Sequence, residues 1–273
     1  MKKLISIFVF IMAVLSGCEN QNNATEMITE ELNTTEAQKT VELSKADIGD
    51  IVQMGTYEQD GDPETEDPIC WDVLDKDGDA VLLISHDVIA YQRFSDSAKC
   101  VIWEDSQIRS WLNQAFYAEA FDETEQASIR ETTLENPSTV EFAAHIRPAV
   151  EVQIRESRPD TKDKIFMLSW KEAEQYYGKG LRNESVLGRR PSSAVLQKRK
   201  TLFTELLIGK FSDSSSNTLS LVDGTERLSW MLRSTGYDGI NCILVIGYDG
   251  KRSQDKAASY NGVRPAMWVN VGD

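Results

Sequence analysis

The side chains that could do chemistry are few and scattered. Cys18 follows Leu15-Ser16-Gly17, and small residues before a thiol suit a peptidase cleft beside a cut, with the sulfur as the nucleophile that accepts a diacylglycerol group. Cys70, Cys100 and Cys242 remain, enough for at most one further internal disulfide. A Cys70–Cys100 bridge would close a loop of about 30 residues and contribute roughly 3–4 kcal/mol; buried unpaired thiols are the equal alternative. There is no Cys-x-x-Cys pair, and His86 and His145 are the two histidines. Each reads as a surface or hydrogen-bonded residue rather than a ligand, so neither a structural zinc site nor any other metal or cofactor is expected. Asp75-Lys76-Asp77-Gly78-Asp79 has the look of a calcium loop but lacks the further oxygen ligands such a loop needs, and reads as a turn. Glycoside hydrolysis requires two carboxylates at a set separation, and none of the 44 acidic residues is singled out. Nucleophile-elbow, zinc-protease and phosphate-loop motifs are absent.

One stretch is crowded with groups that stack on or hydrogen-bond to ligands. Between residues 236 and 262 lie Tyr237, Asp238, Asn241, Tyr248, Asp249, Arg252, Gln254, Tyr260 and Asn261. Aromatic and amide side chains bind sugars or peptides with limited loss of entropy, and flanking strands would hold such loops in place. The alternative is a set of polar turns, Asp249-Gly250 being a fit hairpin turn.

The amino terminus decides the compartment in which these groups would work. Met1-Lys2-Lys3, an apolar run from Leu4 to Leu15 and then Ser16-Gly17-Cys18 follow the order of an export signal. The run has about 12 residues, short of the roughly 20 that span a bilayer. Leu15-Ser16-Gly17-Cys18 matches the lipobox of bacterial lipoprotein signals, so residues 1–17 are expected to be a signal peptide and Cys18 to carry a lipid on the extracytoplasmic face of a cell membrane. Residues 18–45, rich in Asn, Thr, Glu and Gln, are expected to form a disordered tether. Residues 46–273 are then one globular extracellular domain, long enough to bury a core of its own. Removal of residues 1–17, with two lysines and no acid, takes the formal charge from −15 to −17. Such a charge argues against nucleic acid as a partner, because phosphate-backbone binding rests on lysine and arginine.

Periodicity supplies the elements. Asp47–Tyr57 is β-like, and Ile69–Leu74 and Ala80–Ile84 flank an Asp-Gly turn as a hairpin. Ile108, Trp111, Leu112, Ala115 and Phe116 recur at helical spacing, so one face should be core, and loss of the Trp111 indole from it should cost about 3–5 kcal/mol. Asp122 with Glu125, and Ser169 with Glu172, have capping-box spacing, and Gly178 can stop the second helix. Lys164–Leu168 reads as a buried strand, Ser193–Ile208 as a helix with a basic outer face, and Leu228–Arg233, Ile240–Tyr248 and Val263–Val271 as strands. Trp71, Trp103, Trp111, Trp170, Trp230 and Trp268 mostly sit in patterns that bury them. Arg109, Arg233 and Arg264 each lie in an apolar motif, where a guanidinium can hold carbonyls or a carboxylate, and are expected to be structural.

Five ordered segments resemble one bacterial family: residues 49–60, Trp103 with Ile108-Arg109-Ser110-Trp111-Leu112-Asn113, Lys164 to Tyr177, Trp230-Met231-Leu232-Arg233-Ser234, and Gly262-Val263-Arg264-Pro265-Ala266-Met267-Trp268. It is the domain of unknown function 6273. The resemblance implies an extracellular domain with a C-type-lectin-like fold, akin to formylglycine-generating enzymes and retroelement-diversified binding proteins; in the latter the stretch corresponding to 236–262 carries the binding surface. The chain departs from the pattern at Met231 and Thr235, where the family often has tryptophan and proline, and in its cysteines. Formylglycine enzymes use paired cysteines near the carboxyl end, where this chain has Cys242 alone.

The expected fold is therefore α+β, with a mixed, mostly antiparallel sheet and several packed helices, C-type-lectin-like. The expected function is a non-catalytic surface module binding a glycan, peptide or cell-wall ligand. A cryptic hydrolase or formylglycine-type oxidase is the rival class, and an architectural envelope component the third.

Overall fold

The computed structural model describes residues 40–59, 62, 64–96, 101–136, 158–178, 220–222, 225–235, 242–247 and 250–271. They belong to a compact unit running from Thr40 to Asp273. That unit begins before the expected boundary at residue 46, because Val41 bridges Val52 and donates its N–H to the Ile51 carbonyl at 2.8 Å.

The architecture is α+β with mostly antiparallel sheets. In the first sheet, β1 (Ile51–Tyr57), β2 (Asp67–Asp77), β3 (Ala80–Ser85) and, from the far end of the chain, β13 (Ala266–Asn270) lie in the order β1-β2-β3-β13. On β2, Ile69, Trp71 and Val73 are buried while Cys70, Asp72 and Leu74 alternate on the other face, the period-2 pattern of a strand with one face in the core. Every residue of β3 is buried, as a central strand covered on both faces requires. Gly78, at φ +61°, makes the turn between β2 and β3, as the hairpin pattern predicts.

The second sheet contains β4 (Ala90–Arg93), β9 (Trp230–Thr235), β10 (Cys242–Ile246), β11 (Arg252–Lys256) and β12 (Tyr260–Val263), in the order β11-β10-β9-β12-β4. Its pairs are antiparallel except β12 with β9, which touch in parallel through Gly262 and Trp230. Two small pairs, β5 (Thr132–Leu134) with β6 (Thr161–Asp163) and β7 (Ser220–Val222) with β8 (Thr225–Arg227), complete the strands among the described residues.

The helical segment differs from a plain α-helix. α1 (Gln107–Trp111), capped by Ser106, runs through a π-helical turn (Leu112–Phe116) into α2 (Tyr117–Ala120). Ile108, Leu112, Phe116 and Ala120 are buried. A spacing of four drifts around an α-helix of 3.6 residues per turn, and the wider π turn takes the drift back. Ala115, expected in the core, is consequently exposed and Trp111 only half-buried. Phe116 meets Tyr57 edge-on at 5.2 Å and Phe121 at 5.9 Å, and Phe121 reaches Trp71. Burial of each such ring stabilises by about 1.5–3 kcal/mol.

Both capping boxes form as read, Asp122 with Glu125 opening α3 (Glu123–Ser128) and Ser169 with Glu172 opening α4 (Trp170–Tyr177), which stops at Gly178. Lys164–Leu168 is not a strand: Lys164 is half-buried and Ile165–Leu168 are buried, and the segment's link to the first sheet is a bridge from Phe166 to Ala266. The helix expected over Ser193–Ile208 lies outside the described residues.

Candidate functional site

The three arginines singled out by the motifs are clamps. Arg233, 3% exposed, gives all five of its N–H groups: Nε to Asn136, Nη1 to the Met167 carbonyl and Glu172, Nη2 to the Glu135 carbonyl and Glu172. Arg264 donates from Nε and Nη2 to the Ser85 carbonyl at 2.8 and 2.6 Å, from Nη2 to Asp72 at 3.1 Å and from Nη1 to the Tyr177 hydroxyl at 3.5 Å, while its plane covers Trp230. Arg109 donates to Asp163 at 2.6 Å, and the other oxygen of that buried carboxylate takes the Trp103 indole N–H at 2.9 Å. Each clamp joins strands or helices far apart in sequence.

Asn113 performs a comparable task. Its amide donates to the Arg109 and Ile165 carbonyls and accepts from the backbone of Lys164 and Ile165, so the π turn and the Lys164–Leu168 segment are tied through one side chain. A cleft lined by Trp103, Asn136, Arg158, Ser169, Arg233 and Ser234 adjoins these clamps, but its volume of about 10 Å³ holds roughly one water and no sugar ring.

The tryptophans divide. Trp71, Trp103 and Trp230 are buried, whereas Trp111, Trp170 and Trp268 are half-buried and pack against the core from its rim.

Of the expected ligand-binding residues, Tyr237, Asp238, Asn241, Tyr248 and Asp249 lie outside the described residues. Arg252 opens β11 and stands 5.0 Å over the Trp170 ring. Tyr260 is half-buried, stacks on Tyr91 with ring centroids 5.6 Å apart, and carries the Arg93 guanidinium 4.6 Å from its centre. These contacts use the ring face that would stack on a sugar. Asn261 is fully buried; its Nδ2 donates to Asp255 at 3.3 Å, which fixes the amide's orientation, and its Oδ1 accepts no hydrogen bond. Asp255 and Thr235 are both registered against Ile243, and Thr235 Oγ1 is likewise buried without a partner. Buried polar atoms are almost always paired, so two unpaired oxygens around one row call for an explanation.

A second polar group, on the outer face of the first sheet, was not legible in the sequence. His86 Nδ1 lies 2.5 Å from Asp72 Oδ1, the carboxylate that Arg264 holds by its other oxygen. Cys70 is a free thiol on the same face of β2, and Gln53 Nε2 is 3.8 Å from its Sγ. Burial pushes the Cys70 thiol up, Asp87 and Asp72 add to the rise, and the Gln53 contact opposes it. Asp75, in the stretch with the calcium-loop look, instead accepts the Tyr176 hydroxyl, and Asp79 pairs with Arg130. Among the described residues no three His, Cys, Asp or Glu side chains are grouped to hold a metal, and no helix is long and apolar enough to cross a membrane.

An α+β framework of two mainly antiparallel sheets, locked by Arg109, Arg233 and Arg264, defines the class of domain. The model of the domain of unknown function DUF6273 matches residues 78–271, more than half of the chain, and the protein belongs to that family. No curated protein and no solved structure matches the chain.

Proposed function

We propose that this chain is a lipoprotein anchored through Cys18 on the extracytoplasmic face of a membrane, and that its domain is a ligand-binding module of C-type-lectin-like fold for a glycan, peptide or wall polymer. The observation that carries the binding reading is that two buried oxygens of the second sheet are unsatisfied: Asn261 Oδ1, whose amide bonds to Asp255, and Thr235 Oγ1, two strands over from Asp255 across Ile243. A bare buried acceptor costs roughly 1–3 kcal/mol, a cost that a ligand hydroxyl or amine, reaching it directly or through an ordered water, would remove. The same stretch of sequence supplies Tyr237, Asp238, Asn241, Tyr248, Asp249 and Arg252. The anchor is supported by the short apolar run and Leu15-Ser16-Gly17-Cys18.

A glycan and cell-wall array probed with the full mature chain tests the binding reading. One ligand class should be retained by the wild type and lost by the Tyr237→Ala, Tyr248→Ala double variant. Retention of nothing, or unchanged binding by the variant, overturns it. For the anchor, a metabolic fatty-acid probe should label the wild type and not Cys18→Ala; equal labelling of both removes the lipid from the account.

A further inference from the structure

Gln53 and Cys70 stand in one row across β1 and β2, and His86, the residue that follows β3, continues it. Gln53 is registered against Cys70. One step beyond the registered pair Trp71–Ser85, His86 lies opposite Cys70 and donates its backbone N–H to the Cys70 carbonyl at 2.8 Å. Side chains two apart on a strand share a face, so Asp72 and Cys70 project together, and the contact between Asp72 and His86 Nδ1 places the imidazole on that face as well. Directly opposed residues of an antiparallel pair hold their Cβ atoms about 4.5–5.5 Å apart. Thiol, imidazole, carboxylate and primary amide therefore occupy a single patch, in which Gln53 is exposed and Cys70 and His86 partly so.

We infer that this patch is a base-assisted thiol site for acyl transfer from an ester or amide ligand. A carboxylate only accepts hydrogen bonds, so Asp72 holds the proton on Nδ1 and leaves the lone pair on Nε2, the orientation a general base needs. Arg264 keeps the carboxylate in place from its other side. As Sγ attacks the carbonyl carbon, its proton passes to His86 Nε2, and the developing oxyanion lies within reach of the Gln53 amide donors. The carbon–oxygen or carbon–nitrogen bond to the leaving group then breaks, the proton moves to that group, and a thioester remains on Cys70. Water hydrolyses the thioester, its proton returning through the imidazole to the sulfur; one water is consumed and nothing is oxidised or reduced. Burial and the neighbouring carboxylates keep the resting thiol protonated, which makes a proton acceptor at its side the condition for reactivity.

The test uses the full chain and p-nitrophenyl acetate, following nitrophenolate release and the mass of the Cys70 peptide. The wild type should acquire one acetyl group on Cys70, at a rate that levels off with rising pH before the thiol itself ionises. His86→Gln should react at least about 10-fold more slowly near pH 7, and its rate should climb about tenfold per pH unit into the alkaline range, as that of a plain thiol does. Gln53→Ala should lower the rate and keep the wild-type profile. An unlabelled Cys70, or one pH profile shared by the wild type and His86→Gln, overturns the inference. If thermal unfolding shows that His86→Gln does not fold, the wild-type profile decides alone: a plateau supports the site and a continuous rise refutes it.

Discussion

The arginine clamps and the Thr235–Asp255–Asn261 row are both buried and polar, yet they are opposites in how their hydrogen-bonding capacity is used. Around Arg233 five donors meet five acceptor contacts, and around Arg264 a carbonyl, a carboxylate and a hydroxyl converge on one guanidinium. In the row, a hydroxyl and an amide oxygen are enclosed with nothing to bond. A saturated network fixes a fold and resists any further ligand, since a newcomer has to displace a bond already made. An unsaturated one retains capacity for a partner. Burial and charge mark both regions alike; what differs is that every donor of the Arg233 guanidinium is used, whereas two acceptors of the row are not.

The largest effect should come from breaking a clamp. Arg264→Met leaves Asp72 without its guanidinium and the Ser85 carbonyl without its donors, in a place where the arginine is 1% exposed. Removing one partner of a buried ion pair costs about 3–5 kcal/mol, to be read from urea unfolding. A loss below about 1 kcal/mol would mean that the clamp is dispensable and the contrast drawn above is empty.

Gly262→Ala should cost less, about 1–3 kcal/mol. A Cβ at that position would sit 2.6 Å from the Ser229 carbonyl and 2.8 Å from a Val88 methyl, at the crossing of β12 over β9. Strand β12 carries Asn261, so a ligand affinity that falls along with the stability of Gly262→Ala would tie the binding row to this crossing. Unchanged affinity would place the ligand elsewhere.

The sequence was informative wherever the signal was local. The turn at Gly78, both capping boxes and the stop at Gly178 could be read from types and spacing, since each depends on residues within one turn or one motif, whereas the partners of Arg109, Arg233 and Arg264 lie far off in sequence. What it hid depends on small register shifts. A bulge at Leu74 changes the β2–β3 pairing from Asp75 with Leu82 to Val73 with Leu83; counting back from the turn without it puts Cys70 opposite Asp87, and the Cys70–His86 row disappears. The π turn likewise moves the buried face onto Phe116 and Ala120. The return of β13 to pair with β3 is a long-range choice that no local pattern encodes. Five residues of the candidate ligand surface lie outside the described residues, so composition alone speaks for Tyr237, Asp238, Asn241, Tyr248 and Asp249.

Trp111 measures the consequence of the π turn. A fully buried indole should cost about 3–5 kcal/mol on truncation, but the half-buried ring, in contact with Phe116 at 5.3 Å, should cost about 1–2 kcal/mol. Chemical denaturation of Trp111→Ala distinguishes the two. A loss at the upper figure would put Trp111 back in the core and favour an undistorted α-helix through residue 116.

The smallest effect is the sharpest test. Thr235→Val replaces a hydroxyl by a methyl of nearly the same volume, and where the hydroxyl was bonded such a change costs about 1 kcal/mol or more. Thr235 is 3% exposed and its Oγ1 has no partner, so the valine variant should be as stable as the wild type, or more stable by up to about 1 kcal/mol, because a desolvated group without a bond has been removed. Ligand affinity should move the other way, falling about tenfold, since the lost hydroxyl is one of the two groups held in reserve for the ligand. Stability and binding changing in opposite directions would mark the row as a site at which fold stability is given up for recognition. A destabilisation above about 1 kcal/mol would show instead that Oγ1 is bonded in the free protein, and the row would join the clamps as structure.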